Sequence, residues 1–517
     1  MKELQSYLGG AWVSGNGSAK EVVNPSTGET LATLRNAGTL AEAVSYARTV
    51  GGKNLRAMTL PQRGEMLKAL AKLLHEHREE LLDLSVVSGG NTRGDAKFDV
   101  DGATGVLGAY AYLAKSLGDG PWISVSEPVE IMRGSKIKAQ DVLVPRQGVA
   151  FHINAFNFPA WGMVGKLAVA LLAGMPVVSK PGTSTVALAA RIGEIIVDSK
   201  LLPEGAFSLL VGSAGDLLDQ VRGQDVIAFT GSADTGLRIR SHEVVMRSGA
   251  RVNVEADSLN SVIVGPDVEP GSELFDLVVR DCVTELTQKA GQKCTATRRI
   301  LVPQSALESV REALLERLGD IAGRTGDPKQ EGMRMGPLST RSQLDDARKG
   351  IAALETNARR ILGDPERTDF GGAEGYFLEP VLFEATAEAA KDPSSQFHQR
   401  EVFGPVATLL PYDGTVETAA AIIAAGEGSL VSTLYTDDRG FAATAVAEMA
   451  PHLGRLVVAS EKSAAASISP GCVFPVVVHG GPGRAGGGAE LGGVTGLALY
   501  MQRTTIQGGG SQLARML

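Results

Sequence analysis

The sequence predicts an α/β protein of two or three domains, and three observations carry that reading. Short strand-like runs alternate with helical stretches from about residue 148 to Glu255, as in repeated βα units with a parallel sheet. A second α/β region starts near Ser258, where SVIVG and RRILVP read as strands. The chain has 517 residues, too many for one compact core.

The elements follow in order. Residues 60–84 carry Leu67, Leu70, Ala71 and Leu74 at helical spacing and read as one amphipathic helix. Strand GVAFHIN leads to a helix over 160–173, then strand PVVS and a helix over 184–199. Strand FSLLV and a helix over 214–222 come next, then strand VIAF, a helix over 233–247 and strand RVNVE. Ser305 with Glu308 forms a capping box ahead of Leu307, Val310, Leu314 and Leu318. Residues 124–147 read as a hairpin around Gly134-Ser135, and the last twenty residues as a strand and a tail. Neither has an obvious partner within the chain, so both are expected to pair across a subunit boundary. No internal repeat or low-complexity linker interrupts the pattern.

Composition excludes several classes. Acidic residues outnumber basic ones, 58 to 50, for a net charge of -8, which argues against a nucleic-acid surface while leaving room for a local phosphate pocket. The longest nearly apolar run, Leu167 to Val178, falls short of a bilayer span of about 20 residues. The N-terminus MKELQSYLGGAWV has no apolar signal core, so no export or membrane association is expected. Three cysteines, Cys282, Cys294 and Cys472, make no disulfide framework and suit a reducing cytoplasm.

Candidate chemistry gathers at strand ends. Cys294 lies in GQKCTATRR beside a glycine, and a thiolate needs a partly exposed or base-assisted setting to act as a nucleophile. A lone cysteine is more often a buried core residue, the reading kept for Cys282 and Cys472. Asn157, in AFNFPAWGMVGK, sits on a turn after a strand, with Pro159 opening the next helix, and its amide can donate to a developing oxyanion. Taken alone, Asn-Phe-Pro is simply a turn. FTGSADTG, with Gly231, Ser232 and Gly236, offers a glycine turn at a helix N-terminus that suits phosphate. Lys180 ends a strand at the same sheet edge, where a cation meets ribose or phosphate. Glu255 ends RVNVE, 39 residues before Cys294, and a carboxylate there can take a proton from thiol or water. No metal-ligand set is expected.

Together these residues resemble the NAD(P)-dependent aldehyde dehydrogenase superfamily. Nine motifs run in order: NPSTGE at 24–29, AFNFP at 155–159, SKPGT at 179–183, FTGS at 229–232, GQKC at 291–294, GPLST at 336–340, GYFLEP at 375–380, EVFGPV at 401–406 and AELGG at 489–493. The resemblance implies Cys294 as nucleophile, Asn157 as oxyanion donor and Glu255 as general base. It implies Lys180 as a ribose ligand, Glu401 and Phe403 on the nicotinamide side, and Lys166 with Glu490 as a proton relay. It further implies a Rossmann-like cofactor domain (1–123 and 148–257), an α/β catalytic domain (258–496) and a β oligomerisation flap (124–147 and 497–517) that makes a homodimer. Glu255-Ala256-Asp257-Ser258 departs from the usual Glu-Leu-Gly-Gly, the interval from Glu255 to Cys294 is somewhat longer than usual, and HGGPGRAGGGAELGG replaces the Pro-Phe-Gly-Gly pattern. The last run resembles a branch handling CoA-linked semialdehydes in aromatic catabolism.

The expected reaction is oxidation of an aldehyde, through a cysteine thiohemiacetal and thioester, with NADP. NADP is favoured over NAD because Thr183 stands where NAD-preferring relatives carry a glutamate, with Lys180 and Ser179 as further phosphate contacts. A helix-capping role is the plainer reading of Thr183, and it leaves NAD usable. Rival readings are a CoA-acylating dehydrogenase, a cofactor-free cysteine thioesterase and a structural protein that kept the fold.

Overall fold

The computed structural model describes residues 2–516. One seven-stranded sheet runs in the order Arg251–Glu255, Val226–Thr230, Ala150–Ile153, Val177–Lys180, Phe207–Leu209, Ser6–Leu8 and Ala11–Val13. Its first five strands are parallel, and the N-terminal pair adds antiparallel at the far side. Helices cover both faces, so these strands read as near-continuous apolar runs; all four residues of Ala150–Ile153 are buried. The chain starts at Ala150–Ile153, steps outward twice, then returns to the other side of its starting strand. Such a reversal opens a crevice beyond the carboxyl ends of the strands. Asn157, Lys180, Gly231 and Glu255 all leave from that edge.

The helix Trp161–Leu172 fills the layer behind this edge, buried at every position from Met163 to Leu172. Its N-terminus is capped from another helix: Asp99 accepts from the Trp161 N–H at 2.8 Å. Pro159 therefore stands in the turn before the helix rather than at its first position.

A second seven-stranded sheet has the order Ala358–Leu362, Val381–Ala385, Val406–Tyr412, Arg299–Pro303, Ser261–Val264, Ser429–Tyr435 and Leu453–Ala459. It is parallel except at its first pair. Among the described residues no helix is long and apolar enough to cross a membrane.

Several expected elements are shorter than their patterns. The stretch 60–84 divides into Leu60–Glu76 and Arg78–Gly89 at His77, whose backbone leaves the helical region. Residues 233–247 divide into Ala233–Arg240 and Glu243–Ser248, because Ser241 bonds back to the Leu237 carbonyl and His242 is extended. Only one short 3₁₀ turn, Leu217–Gln220, forms within 214–222, where the Asp216 carboxylate is taken by Thr39 and the Leu40 N–H. Ser305 caps nothing: Pro303–Ala306 form a turn, and the helix Leu307–Gly323 begins after Ala306 without a side-chain cap.

The hairpin around Gly134-Ser135 forms, Val129–Glu130 pairing antiparallel with Ile137–Pro145, but hairpin and tail do have a partner within the chain. They pair with each other, Met501–Gly509 running antiparallel to all nine residues of Ile137–Pro145. Arg251 holds the tail to the first sheet, its guanidinium donating to the carbonyls of Ala498 (2.7 Å), Leu499 (3.0 Å) and Met501 (2.6 Å). Arg251→Met leaves these carbonyls without that donor, at a cost of about 1–3 kcal/mol. The expected result is a lower apparent Tm and faster limited proteolysis near residue 497. An unchanged melting curve and digest would show that Arg251 does not anchor the tail.

Candidate active site

The segment before Cys294 is built to hold it still. The helix Glu273–Thr287 runs into a turn in which Lys289 (φ 54°), Ala290 (φ 53°) and Gly291 (φ 67°) are all left-handed. A Cβ on Gly291 would lie 2.3 Å from the Gly404 carbonyl oxygen, so only glycine fits. Lys293 is fully buried and pairs with Glu285 at 2.8 Å while donating to Gln288 at 2.7 Å. Buried Asn260 donates to the carbonyls of Cys294 (2.7 Å) and Ala296 (2.9 Å) and accepts from Ser258 Oγ and the Val431 N–H. All four of its hydrogen-bonding positions are used, which makes it a rigid anchor.

Cys294 faces a cavity of about 680 Å³, counting its open mouth, lined also by Phe98, Asn157, Trp161, Lys166, Glu255 and His479. Sγ lies 3.8 Å from His479 Nε2, and that nitrogen lies 3.1 Å from Glu255 Oε2. The Asn157 amide makes no side-chain hydrogen bond among the described residues and is free to donate. Lys166 Nζ lies 3.3 Å from Glu490 Oε2 and donates to Thr230 Oγ1 at 2.9 Å. The five residues expected to carry chemistry are thus together, and His479 joins them unannounced by the motifs.

Burial pushes the Cys294 thiol well above its ordinary range, and the Glu255 charge adds to this. Burial also raises the Glu255 carboxyl, but the positive charge of His479, with its hydrogen bond, and Lys166 outweigh it and hold Glu255 below the usual carboxylate range. The resting arrangement is a neutral thiol beside an ionised carboxylate.

The expected cofactor residues divide. Lys180 is half-buried at its strand end, its pKa lowered by burial and by Lys20. Thr183 opens a 3₁₀ turn whose cap is Gly182, and its hydroxyl caps nothing. Ser179 is corrected: it is fully buried and accepts from Asn154 Nδ2 at 3.1 Å, because alternation along the strand turns it away from the edge that Lys180 reaches. Gly231 gives its N–H to the Glu255 carbonyl at 3.1 Å, and Ser232 Oγ caps the helix Ala233–Arg240 through Thr235. Gly236 lies inside that helix, where a Cβ would meet Val254 at 2.9 Å, so glycine there lets the helix pack closely on the strand. Burial raises Glu401 to about 7 against the opposing charge of Arg298, and its Oε1 is buried without a hydrogen-bond partner. Phe403 stands edge-on to Phe156 and beneath the Arg298 guanidinium.

Two of the departures from the family pattern contact each other. Asp257 pairs with Arg484 of the glycine-rich run at 3.0 Å, and Arg484 also holds the carbonyls of His398 and Gln399. The Ala256 N–H donates to the Ala485 carbonyl at 3.2 Å. Sequence reasoning missed His479, Asn260 and Arg484; the one signal for His479 was an imidazole at the head of the unusual glycine-rich run.

Known proteins resemble the chain along most of its length. The model of the aldehyde dehydrogenase family matches residues 12–506. The chain is 42% identical over 485 residues to 3,4-dehydroadipyl-CoA semialdehyde dehydrogenase of Aromatoleum evansii, covering 93% of each. It is 28% identical to alpha-ketoglutaric semialdehyde dehydrogenase of Bacillus subtilis, over 84% of this chain and 86% of that one. Among solved structures, betaine aldehyde dehydrogenase from Staphylococcus aureus superposes with a TM-score of 0.83 at 24% identity, covering 98% of this chain and 95% of that one. The strand orders, the shared cavity and these matches lead to one assignment: the chain belongs to the aldehyde dehydrogenase family.

Proposed function

We propose that the protein oxidises a CoA-linked aliphatic semialdehyde to its carboxylic acid with NADP, through a thiohemiacetal and then a thioester on Cys294. The meeting of Cys294, Glu255 and Asn157 at one cavity carries this reading. Glu255, ionised beside a neutral thiol, takes the thiol proton as sulfur adds to the aldehyde carbon. The Asn157 amide and the Cys294 N–H hold the resulting oxyanion. Bound NADP would supply the hydride acceptor. Glu255 then passes its proton towards Lys166 and Glu490 and activates the water that releases the acid. A CoA-acylating route has no use for such a base, and a cofactor-free thioesterase has none for Glu401.

Residues at the sheet edge fit the cofactor. Glu401 Oε1 is buried without a hydrogen-bond partner, 3.7 Å from Arg298 Nη2, and suits a ribose hydroxyl, while Lys180 offers a charge at the same sheet edge. Thr183 has an uncommitted hydroxyl where a carboxylate would repel a 2′-phosphate. Gly231, Ser232 and Phe403 would complete the walls. The name of the Aromatoleum evansii relative supports the CoA-linked substrate. Gly165 lines the cavity with space beside it, a Cβ there finding its nearest neighbour, Trp161 Cδ1, at 3.6 Å. The open outer edge of Met501–Gly509 and the exposed Val129, Ile131 and Met132 favour a homodimer through the flap. Three free cysteines favour the cytoplasm.

Cys294→Ala is expected to fold and to lose turnover, while Glu255→Gln is expected to accumulate an acyl adduct on Cys294, read by intact mass. Dehydrogenase activity retained in Cys294→Ala would overturn the mechanism. Thr183→Glu should cost NADP use about 1–4 kcal/mol in kcat/KM and spare NAD; equal losses would mean that Thr183 does not face the 2′ position. Gly165→Leu should reduce kcat/KM for CoA-linked semialdehydes about tenfold more than for small free aldehydes. If the wild type prefers small free aldehydes, the CoA-linked assignment is wrong.

A further inference from the structure

We propose that Cys294, His479 and Glu255 form a zinc-binding site, and that zinc there caps the nucleophile and switches the enzyme off. The inhibitory consequence rests on Cys294 being the nucleophile; the binding itself does not. Among the described residues these three are the one group of potential metal ligands brought together, with sulfur, imidazole nitrogen and carboxylate oxygen all within 4.8 Å of one another. Ligand bonds of about 2.0–2.3 Å in a tetrahedron place such donors about 3.3–3.5 Å apart. The observed Nε2–Oε2 separation is 3.1 Å and Sγ–Nε2 is 3.8 Å, so small side-chain adjustments suffice.

A second observation points the same way. Glu255 is 4% exposed, and its Oε1 has no hydrogen-bond partner. A buried carboxylate with an idle oxygen beside a thiol and an imidazole is a donor set in want of a cation. A thiolate selects zinc over magnesium or calcium, which prefer oxygen ligands throughout. Thiolate and carboxylate together neutralise a divalent charge that imidazole alone would leave exposed to low dielectric.

The scaffold around the ligands is rigid. Asn260 pins the Cys294 carbonyl, and His479 sits in the ladder that pairs Val478–Gly480 with Ala489–Leu491. The fourth tetrahedral position opens on the cavity and would hold water. Binding displaces the thiol proton and the Nε2 proton that His479 shares with Glu255, both of which pass to buffer, and so breaks the His479–Glu255 hydrogen bond; nothing is oxidised or reduced. Sulfur is then unable to add to an aldehyde or to an alkylating agent, and a chelator restores it.

The test uses the full-length protein freed of metal, with chelator-buffered zinc, and Co²⁺ as a spectroscopic probe. Expected are stoichiometric binding, a sulfur-to-cobalt charge-transfer band, and protection of Cys294 from iodoacetamide, followed by peptide mass and lost on adding chelator. His479→Gln should weaken binding roughly tenfold or more, and Cys294→Ala should abolish the cobalt band. Unprotected Cys294 in saturating zinc, or equal affinity in wild type and both variants, would overturn the proposal. The wild-type protection measurement stands even if a variant fails to fold. Binding and alkylation are read without turnover, so their failure is distinguishable from failure of the dehydrogenase reading.

Discussion

The close approach of the glycine-rich run 480–488 to the edge strand Arg251–Glu255 is the constraint on which the site depends. A Cβ on Gly486 would lie 2.2 Å from the Val254 carbonyl oxygen, and one on Gly480 would lie 2.0 Å from that of Gly488. Bare backbone lets the run lie against the strand, and Asn253 fastens it, accepting from the Ala489 N–H and donating to Glu490. That seating sets His479 against Glu255 and Glu490 against Lys166. The ion pair between Asp257 and Arg484 closes the same seam further along, so the two departures from the family pattern work as one interface.

The two large sheets meet across this seam with opposite edges. Glu255 ends its strand at the carboxyl edge of the first sheet, whereas Cys294 precedes Arg299–Pro303 at the amino edge of the second. Asn260, between them in sequence, ties the carbonyls of Cys294 and Ala296 to the start of the second sheet. The base and the nucleophile thus belong to separate rigid layers, and their spacing is fixed by layer packing and not by a flexible loop.

What the sequence made legible follows from how local each signal is. Cys294, Asn157 and Glu255 sit where short-range patterns change, at strand ends and turns, and the structure brings all three to one cavity. The parallel units of the first sheet were equally readable, because doubly covered strands are apolar throughout. Helix breaks at His77 and His242 were not, since an apolar stripe continues across a kink. The pairing of Ile137–Pro145 with Met501–Gly509 joins segments some hundreds of residues apart, and no local pattern encodes such a register. Ser179 was misread for want of strand phase: a shift of one residue exchanges the buried face for the edge. His479 stayed hidden because its partners are set by the glycine-rich run's path, which only tertiary packing reveals.

The left-handed turn ahead of the nucleophile has a further consequence. Lys289 and Ala290 each occupy a conformation that costs a residue with a Cβ about 1–2 kcal/mol. Asp95 and Asp99 near Lys289, and Glu285 against Lys293, help to keep that conformation. A chain selected for folding alone would relax both residues to the right-handed region and carry Cys294 out of its cavity. Selection for durability and selection for turnover therefore pull this turn in opposite directions, and it is where a more heat-resistant version of the protein would tend to become a poorer catalyst.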